Sequence, residues 1–349
     1  MNIIKRKSLP SISIVSCNYN PNLALFEKAL KALRSQDYPK NLIEHIVMDA
    51  GSTNGAIELA KKYGCQVYVH SELLEEELAR ASLGFKKAKG EILLIIQSDN
   101  IVTSKDWIMR MVEPFLDNKN IFCTYCAHYS YEKNMSATTR YGALIGANDP
   151  LISPFFLDKI EKVAMTQKVY NKGEIINETK DYYVVKFNKD NFPPLGDNGQ
   201  MVLKSVMDKV NKDPKEYLHL DTFARMFDLG YDTCGVVKSS VIHVITPDII
   251  RFITRRIQLK ERFFDKRRGR RRYLIFDYSS RKDRLNLIKY IFFSVTILPT
   301  LFQSIRGYFK IRDNAWFLHP FICLLMLIVY GYSEMRWFFL KNLLRVKVS

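Results

Sequence analysis

Short apolar segments alternate with amphipathic helical segments from residue 11 to residue 96. The apolar segments have strand character, and the segments between them repeat apolar residues at the i, i+3, i+4, i+7 spacing of a helix. Such alternation is typical of a mostly parallel sheet with helices on both faces. The predicted strands are residues 11–16, 43–48, 66–69 and 91–96, and the predicted helices are residues 23–33, 57–63 and 72–89. The sequence therefore predicts an α/β fold over roughly residues 1–115.

Polar residues follow three of these strands, in the segments Asn18-Tyr19-Asn20, Asp49-Ala50-Gly51 and Gln97-Ser98-Asp99. Ligands of open α/β sheets bind outside the carboxyl ends of the strands. Ions such as Mg²⁺ take one or two carboxylates together with substrate phosphates. Asp99 is therefore a candidate metal ligand that faces a nucleotide phosphate. The alternative is a turn former or a helix cap, which is the commoner role of an Asp after a strand.

The pattern is mixed after residue 115. Two further segments have strand character, a Pro- and Gly-rich segment reads as a loop, and one helix ends at Gly230. A strand pair then ends near His243. These predicted elements are strands 121–127 and 182–187, loop 193–199, helix 217–229 and strand pair 233–245.

Positive charge is concentrated near the C-terminal third of the chain. The net charge is +17, and residues 251–284 hold fourteen Lys and Arg against four Asp and Glu. Such an excess favours a polyanionic partner, either nucleic acid or anionic lipid. Because these basic residues lack the interleaved aromatics of a recognisable nucleic-acid-binding fold, the nucleic-acid alternative is the weaker one.

Two apolar segments, residues 290–302 and 316–332, follow the basic stretch. Each is shorter than the ~20 residues that a spanning helix needs. Basic residues beside apolar, aromatic helices are typical of attachment to an anionic cytoplasmic leaflet. The alternative is a solvated basic linker before a helical hairpin that completes a core.

Six cysteines are scattered along the chain, and Cys123 and Cys126 alone have the spacing of a metal or redox pair. A structural zinc site needs four ligands, and only His128 lies close by. Reduced thiols of a cytosolic protein are therefore the favoured interpretation. The basic N-terminal residues are not followed by an apolar segment long enough for a signal peptide. Dehydrogenase and P-loop classes are excluded because no G-x-G-x-x-G or G-K-[ST] follows the first strand.

Four motifs in order along the chain resemble those of family 2 glycosyltransferases. Asn18-Tyr19-Asn20 is similar to a strand ending in Thr-Tyr-Asn, and Asp49-Ala50-Gly51-Ser52-Thr53-Asn54-Gly55 to an Asp-Asp-Gly-Ser-x-Asp-Gly loop. Leu78-Ala79-Arg80-Ala81-Ser82-Leu83-Gly84 resembles Ala-Arg-Asn-x-Gly, and Gln97-Ser98-Asp99 stands at the Asp-x-Asp position. The resemblance covers about residues 1–245 and implies the GT-A nucleotide-sugar-binding fold. Leu195–Gly199, His219-Leu220-Asp221 and Arg312–Pro320 look like a bacterial or archaeal subgroup with C-terminal hydrophobic helices.

Three residues depart from the family pattern. Ala50 replaces the second carboxylate of the Asp-Asp-Gly-Ser-x-Asp-Gly loop, the loop that binds uridine in the family. Gln97 replaces the first Asp of Asp-x-Asp, and Leu220 replaces the Glu of the usual Glu-Asp motif that carries the general base. Asp99 is thereby left as the expected metal ligand and Asp221 as the expected general base.

The resemblance implies a role for each remaining candidate. Asn18, Tyr19, Asp49, Arg80 and Ser98 would bind the nucleotide, with Asp49 on the N3–H of uracil and Tyr19 against the base. Asp99 and His243 would hold Mn²⁺ or Mg²⁺. Asp221 would take the acceptor proton, and Asp197 and Asn198 would contact sugar or acceptor hydroxyls. Structural alternatives stay open: helix caps for Asp49 and Asp221, a solvated charge for Arg80, a core histidine for His243 and a turn for Asp197-Asn198.

The predicted function is an inverting glycosyltransferase that moves a sugar from a nucleotide sugar, expected to be a UDP-sugar, to a hydroxyl of a saccharide or lipid-linked acceptor. Cell-surface polysaccharide or glycolipid synthesis at the cytoplasmic face of the membrane would suit it. The alternatives are an inactive GT-A-like membrane scaffold and a basic nucleic-acid-binding protein. The predicted domains are a GT-A domain at 1–250 (halves 1–115 and 116–250), a basic linker at 251–284 and hydrophobic helices at 285–349.

Overall fold

The structure, a computed structural model, describes residues 8–167, 169–267 and 269–342. The chain divides into two compact units. The first unit comprises Met1–His128 and Asn171–His243, and the second comprises Tyr129–Tyr170 and Val244–Ser349. Compactness alone does not define functional domains, so the predicted domain boundaries stay a prediction.

Strands and helices follow one another in the order that the sequence predicts through β4. The strands are β1 Ile12–Asn18, β2 Ile43–Asp49, β3 Gln66–Val69, β4 Ile92–Ile96, β5 Asn100–Val102, β6 Ile121–Ser130, β7 Glu174–Glu178, β8 Tyr182–Lys186, β9 Asn198–Leu203 and β10 Thr233–His243. The α-helices are α1 Leu23–Arg34, α2 Ala56–Lys62, α3 Glu77–Lys87, α4 Trp107–Asp117, α5 Ala137–Ile145, α6 Lys204–Val210, α7 His219–Asp228, α8 Ile249–Leu259, α9 Arg281–Thr296, α10 Leu298–Lys310 and α11 His319–Asn342.

The strands form one mixed sheet in the order β3-β2-β1-β4-β9-β6-β10-β8-β7, with β5 paired to β10. Strands β1 to β4 pair in parallel, as expected from the helices that connect them. The α/β class is therefore confirmed, but the parallel arrangement ends at β4. Strand β9 runs antiparallel to both β4 and β6, and β8 runs antiparallel to β7 and β10. Strands β7 and β8 are joined by a tight turn, a connection that only antiparallel strands can use.

Three predicted elements differ from the structure. The helix predicted at 72–89 is a short 3₁₀ turn, Ser71–Leu73, followed by α3. The strand pair predicted at 233–245 is the single strand β10, because its two halves pair with different partners, β8 and β5, and need no turn between them. The loop predicted at 193–199 ends early, since β9 begins at Asn198.

Helix α3 packs closely on the parallel part of the sheet. A β-carbon at residue 84 would lie 2.6 Å from Cγ1 of Val15 in β1 and 2.9 Å from Cγ of Met48 in β2. Glycine at position 84 therefore lets the backbone of α3 approach the two strands. This packing fixes the helix that carries Arg80 against the strands that carry Asn18 and Asp49.

The second unit is mainly helical. Its core combines residues of α5, α8 and α11 with Trp316, which is 1% exposed. Among the described residues, one helix, Asn314–Leu340, is long and apolar enough to cross a membrane, and 39% of its apolar stretch is buried. Helices α9 and α10 pass the same test only as a pair and are bent by 91° at the break between them.

Candidate active site

Asp99 and His243 meet beyond the carboxyl end of β4. His243, the last residue of β10, pairs in register with Asn100, the first residue of β5. Nε2 of His243 consequently lies 3.6 Å from Oδ2 of Asp99. The amide of Asn100 donates to the other oxygen of Asp99, Oδ1, at 2.8 Å. Both residues that the sequence nominated as metal ligands are therefore brought together, although they lie far apart along the chain.

A carboxylate oxygen is a ligand that suits Mn²⁺, and the imidazole nitrogen 3.6 Å away is within reach of a cation bound to that oxygen. Within the described ranges no group of three or more His, Cys, Asp and Glu could hold a metal ion. A cation at Asp99 and His243 would thus take its other ligands from a bound diphosphate or from water. The Cys123 and Cys126 pair is no competing site, because residues three apart on strand β6 point to opposite faces of the sheet.

Gln97 links two chain segments at the same edge of the sheet. Its Oε1 accepts a hydrogen bond from the backbone N–H of Cys17 at 2.9 Å, and its Nε2 donates to Oδ2 of Asp197 at 2.7 Å. The sequence motif marks Gln97 only as a departure from Asp-x-Asp and does not reveal this contact. The departure itself was the available signal, because a changed residue in a conspicuous motif invites a search for its partner.

The loop that carries Asp197 also approaches the start of α7. A β-carbon at residue 196 would lie 3.4 Å from Nε2 of His219, the first residue of α7. Asp221 lies in the first turn of the same helix and is 7% exposed. The helix cap is Leu218, so the cap alternative for Asp221 does not hold. The loop thus connects Gln97 on one side with the turn that carries Asp221 on the other.

Asn198 begins β9 and lies beside the end of β4, in register with Ile96. Because β9 runs antiparallel to β4, its first residues share the edge where β4 ends. Asn198 is 7% exposed, and Ser98 is partly buried in the turn between β4 and β5. Both residues therefore lie at the predicted edge.

Asp49 is fully buried at the end of β2. Its Oδ1 accepts from the backbone N–H groups of Gly51 at 2.8 Å and Ser52 at 2.6 Å, and its Oδ2 accepts from Oγ of Ser52 at 2.8 Å. Gly55, not Asp49, is the N-cap of α2, so the cap alternative is wrong. In this structure Asp49 orders the loop that follows β2.

Asn18 is the register partner of Asp49 on β1 and is 2% exposed. Neither its Oδ1 nor its Nδ2 has a hydrogen-bond partner among the described residues, and an unpaired buried amide costs free energy. The next residue, Tyr19, is 49% exposed, so its ring is open to a stacking partner. The loop carrying Tyr19 is tied to the Asp49 loop, because the N–H of Asn20 donates to Oγ of Ser52 at 2.8 Å.

Arg80 is 3% exposed, so the solvated-charge alternative is wrong. Its Nη1 donates to the carbonyl oxygens of Leu73 and Leu74 ahead of α3, and its Nε has no partner within the part of the chain that the structure describes. Burial raises the pKa of Cys17 well above its usual value, and the positive charge of Arg80 opposes that rise. Arg80 is therefore close enough to the end of β1 to act on Cys17 electrostatically.

Comparisons with known proteins bear on the family and the fold. The model of the family described as Glycosyl transferase family 2 matches residues 11–167 of this chain. Glycosyltransferase AglE of Haloferax volcanii is 27% identical over 139 residues, which are 38% of this chain and 45% of AglE. The match thus spans less than half the length of that relative. The solved mannosyltransferase PcManGT of Pyrobaculum calidifontis, in complex with GDP-Man and Mn²⁺, has a TM-score of 0.51 at 13% identity and covers 94% of this chain and 88% of its own.

The fold is that of the GT-A glycosyltransferases, as the sequence motifs predicted. Residues 11–167 match the model of glycosyl transferase family 2. The family resemblance found in the sequence is thereby confirmed.

Proposed function

We propose that this protein is an inverting glycosyltransferase that uses a nucleotide sugar and a divalent metal. The observation that carries the proposal is the convergence of Asp99 and His243 at 3.6 Å, beside the Gln97 contact with the Asp197 loop. A cation, Mn²⁺ or Mg²⁺, held there supplies a Lewis acid for the departing diphosphate. PcManGT, which shares the fold, was solved with GDP-Man and Mn²⁺.

Asp221 serves as the general base in this proposal. Its carboxylate takes the proton of the acceptor hydroxyl while that oxygen bonds to the anomeric carbon of the donor sugar. The bond from the same carbon to the diphosphate oxygen breaks, and the nucleoside diphosphate leaves with the electron pair. Attack from the face opposite the diphosphate inverts the anomeric configuration. Base assistance of this kind contributes about 10²- to 10⁴-fold.

The donor is proposed to be a UDP-sugar. Asn18 and Asp49 lie side by side at the ends of β1 and β2, and the orphaned carboxamide of Asn18 offers both donor and acceptor groups. Asp49 would have to exchange its bond with Oγ of Ser52 for the N3–H of the base. Tyr19 is exposed for stacking, and Arg80 would turn its unpartnered Nε toward phosphate.

The same proposal puts the protein at the cytoplasmic face of an anionic membrane, with a saccharide or lipid-linked acceptor. Support comes from the apolar span Asn314–Leu340, which is less than half buried, and from exposed apolar side chains on α9 and α10. The most exposed of these are Leu285, Ile288, Phe292, Val295, Leu298, Phe302 and Phe309. The net charge of +17 adds electrostatic attraction to anionic lipid.

A donor-hydrolysis panel tests the enzyme proposal. The full chain is incubated with Mn²⁺ and UDP-glucose, UDP-GlcNAc or GDP-mannose, and release of the nucleoside diphosphate is measured. Metal-dependent release from the UDP donors is expected. Release from GDP-mannose alone would mean that the donor carries guanine instead of uracil. Binding of a nucleotide sugar without its hydrolysis, and without transfer of the sugar to an acceptor, would favour the inactive scaffold. Retention of DNA at ~0.2 M salt without liposome binding would favour the nucleic-acid alternative.

A further inference from the structure

The carboxamide of Gln97 is held by two partners of opposite hydrogen-bonding character. Oε1 accepts from the N–H of Cys17, and Nε2 donates to the carboxylate of Asp197. An N–H group needs an acceptor and a carboxylate needs a donor, so the two partners fix which end of the carboxamide is oxygen. An Asp or Glu at this position could accept from Cys17 but, when ionised, has no proton to donate to Asp197.

Asp197 uses only one of its two carboxylate oxygens in this contact. Oδ2 accepts from Gln97, and none of the described residues donates to Oδ1. Asp197 is partly exposed, so its carboxylate is not sealed off from a ligand. An ionised carboxylate oxygen only accepts hydrogen bonds, so its partner must be a donor such as a hydroxyl group.

We propose that Gln97 is a positioning residue that presents Oδ1 of Asp197 to a hydroxyl group of the sugar on the nucleotide donor. The inference rests on the proposed function. It states that Asp197 recognises the hexose of the nucleotide sugar and not its nucleobase or its diphosphate. The carboxylate absent from the Asp-x-Asp position is thereby supplied by Asp197 for the sugar.

Two placements support this assignment. Gln97 lies two residues before Asp99, so its hydrogen bond to Asp197 adjoins the proposed diphosphate site. In a nucleotide sugar the hexose is attached directly to the diphosphate. The neighbouring Gly196 packs near His219, at the start of the helix that carries the proposed base Asp221. Asp197 thus lies between the element that would hold the diphosphate and the element that would meet the acceptor.

Calorimetry on the full chain with Mn²⁺ tests the proposal. The probes are UDP and GDP alone and UDP-glucose, UDP-GlcNAc and GDP-mannose, and the donor that the wild type binds most tightly is used with its own nucleoside diphosphate. Asp197→Asn and Gln97→Met are expected to weaken the nucleotide sugar about tenfold, on the scale of a charge-assisted hydrogen bond, with the affinity for the nucleoside diphosphate unchanged.

The double variant Gln97→Glu with Asp197→Asn distinguishes sugar recognition from a purely structural role, in which the hydrogen bond between residues 97 and 197 only holds the loop in place. The new carboxylate at position 97 still accepts from the N–H of Cys17, and the new amide at position 197 donates back to that carboxylate, so the link is kept with the roles exchanged. The double variant is expected to regain the melting temperature that the single variants lose, while the nucleotide sugar stays weakly bound because a neutral carbonyl replaces the carboxylate.

The outcomes separate this inference from the proposed function. Wild-type affinity for the nucleotide sugar in Asp197→Asn, or full recovery of that affinity in the double variant, would overturn the sugar contact and leave a structural staple. A wild-type chain that binds none of the nucleotides would overturn the proposed function and this inference with it. Should Asp197→Asn fail to fold, Gln97→Met and the double variant carry the same comparison.

Discussion

Nε2 of His243 lies 3.6 Å from Oδ2 of Asp99, because the last residue of β10 pairs with the first residue of β5. This pairing makes the proposed metal site a product of the antiparallel half of the sheet. The parallel half ends in the residues proposed for the nucleotide, Asn18 and Asp49. The proposed metal site therefore depends on an antiparallel strand pair, β5 and β10, whereas the residues proposed to bind the nucleobase lie on the parallel strands β1 and β2 of the same sheet.

Replacing Asp99 by Ala is expected to remove metal-dependent nucleotide binding. Loss of a residue that only hydrogen-bonds to a metal ligand costs up to about 100-fold in affinity. Loss of the carboxylate ligand itself should therefore lower the affinity for UDP with Mn²⁺ by more than about 100-fold. His243→Ala should cost less, about 10- to 100-fold, because the carboxylate and the diphosphate remain. Titration calorimetry with and without Mn²⁺ measures both. Asp106→Asn, an exposed carboxylate nearby in sequence, is the matched control. Unchanged metal dependence in Asp99→Ala would contradict the ligand role.

Replacing Asp221 by Asn is expected to lower turnover by about 10²- to 10⁴-fold, because the amide cannot take the acceptor proton. Binding of UDP with Mn²⁺ should stay within about twofold of wild type, since Asp221 is assigned to the acceptor side. Transfer to an acceptor and calorimetry measure the two effects separately. Asp228→Asn, at the exposed end of the same helix, controls for the loss of a carboxylate from α7. Full turnover in Asp221→Asn would exclude it as the base.

The sequence predicted the parallel strands and their polar ends because apolar periodicity and local motifs record them directly. It did not predict that β9 would insert between β4 and β6. Pairing between distant segments leaves no periodic signal, and the segment 198–203 follows a Pro- and Gly-rich stretch that masks its start. The merged strand β10 was missed for a related reason, since its continuity depends on two different pairing partners.

The site was predictable as a set of residues but not as a set of contacts. Asp99 and His243 were both nominated, and the structure brings them together. The inward hydrogen bonds of Asp49 to its own loop could not be predicted, because they depend on the exact path of the turn after β2. The bond from Gln97 to Asp197 depends likewise on a loop whose position only the folded chain defines.

Replacing Phe302 and Phe309 together by Ser is expected to weaken binding to anionic vesicles at least tenfold. These side chains are 66% and 72% exposed on α10 and lie seven residues apart on one helix face. Burying such a side chain contributes roughly 1.5–3 kcal/mol when it is complete. Flotation with vesicles containing phosphatidylserine measures the bound fraction. Leu229→Ser, an exposed apolar residue after α7, is the control, and unchanged flotation of the double variant would remove α10 from the lipid-binding surface.

His45 predicts a pH dependence of stability that is independent of the site. The ring is 7% exposed in β2 beside Ser16, and burial, with a smaller effect of Arg34, lowers its pKa from 6.5 to about 4. The unfolded chain therefore binds a proton at higher pH than the folded chain does. The free energy of unfolding is expected to fall as the pH drops from 6.5 towards 4, by about 1.4 kcal/mol per pH unit from this group, and to be independent of it above that window.

Urea unfolding of the full chain between pH 4.5 and 8 isolates this contribution when the wild type is compared with His45→Gln. Other titrating groups contribute equally to both chains, so the difference between the two curves is the expected slope. His70→Gln is the matched control, because its ring is partly exposed and pairs with the exposed Glu72. Parallel curves for wild type and His45→Gln across this range would mean that His45 titrates alike in the folded and unfolded states, which would contradict the lowering of its pKa by burial.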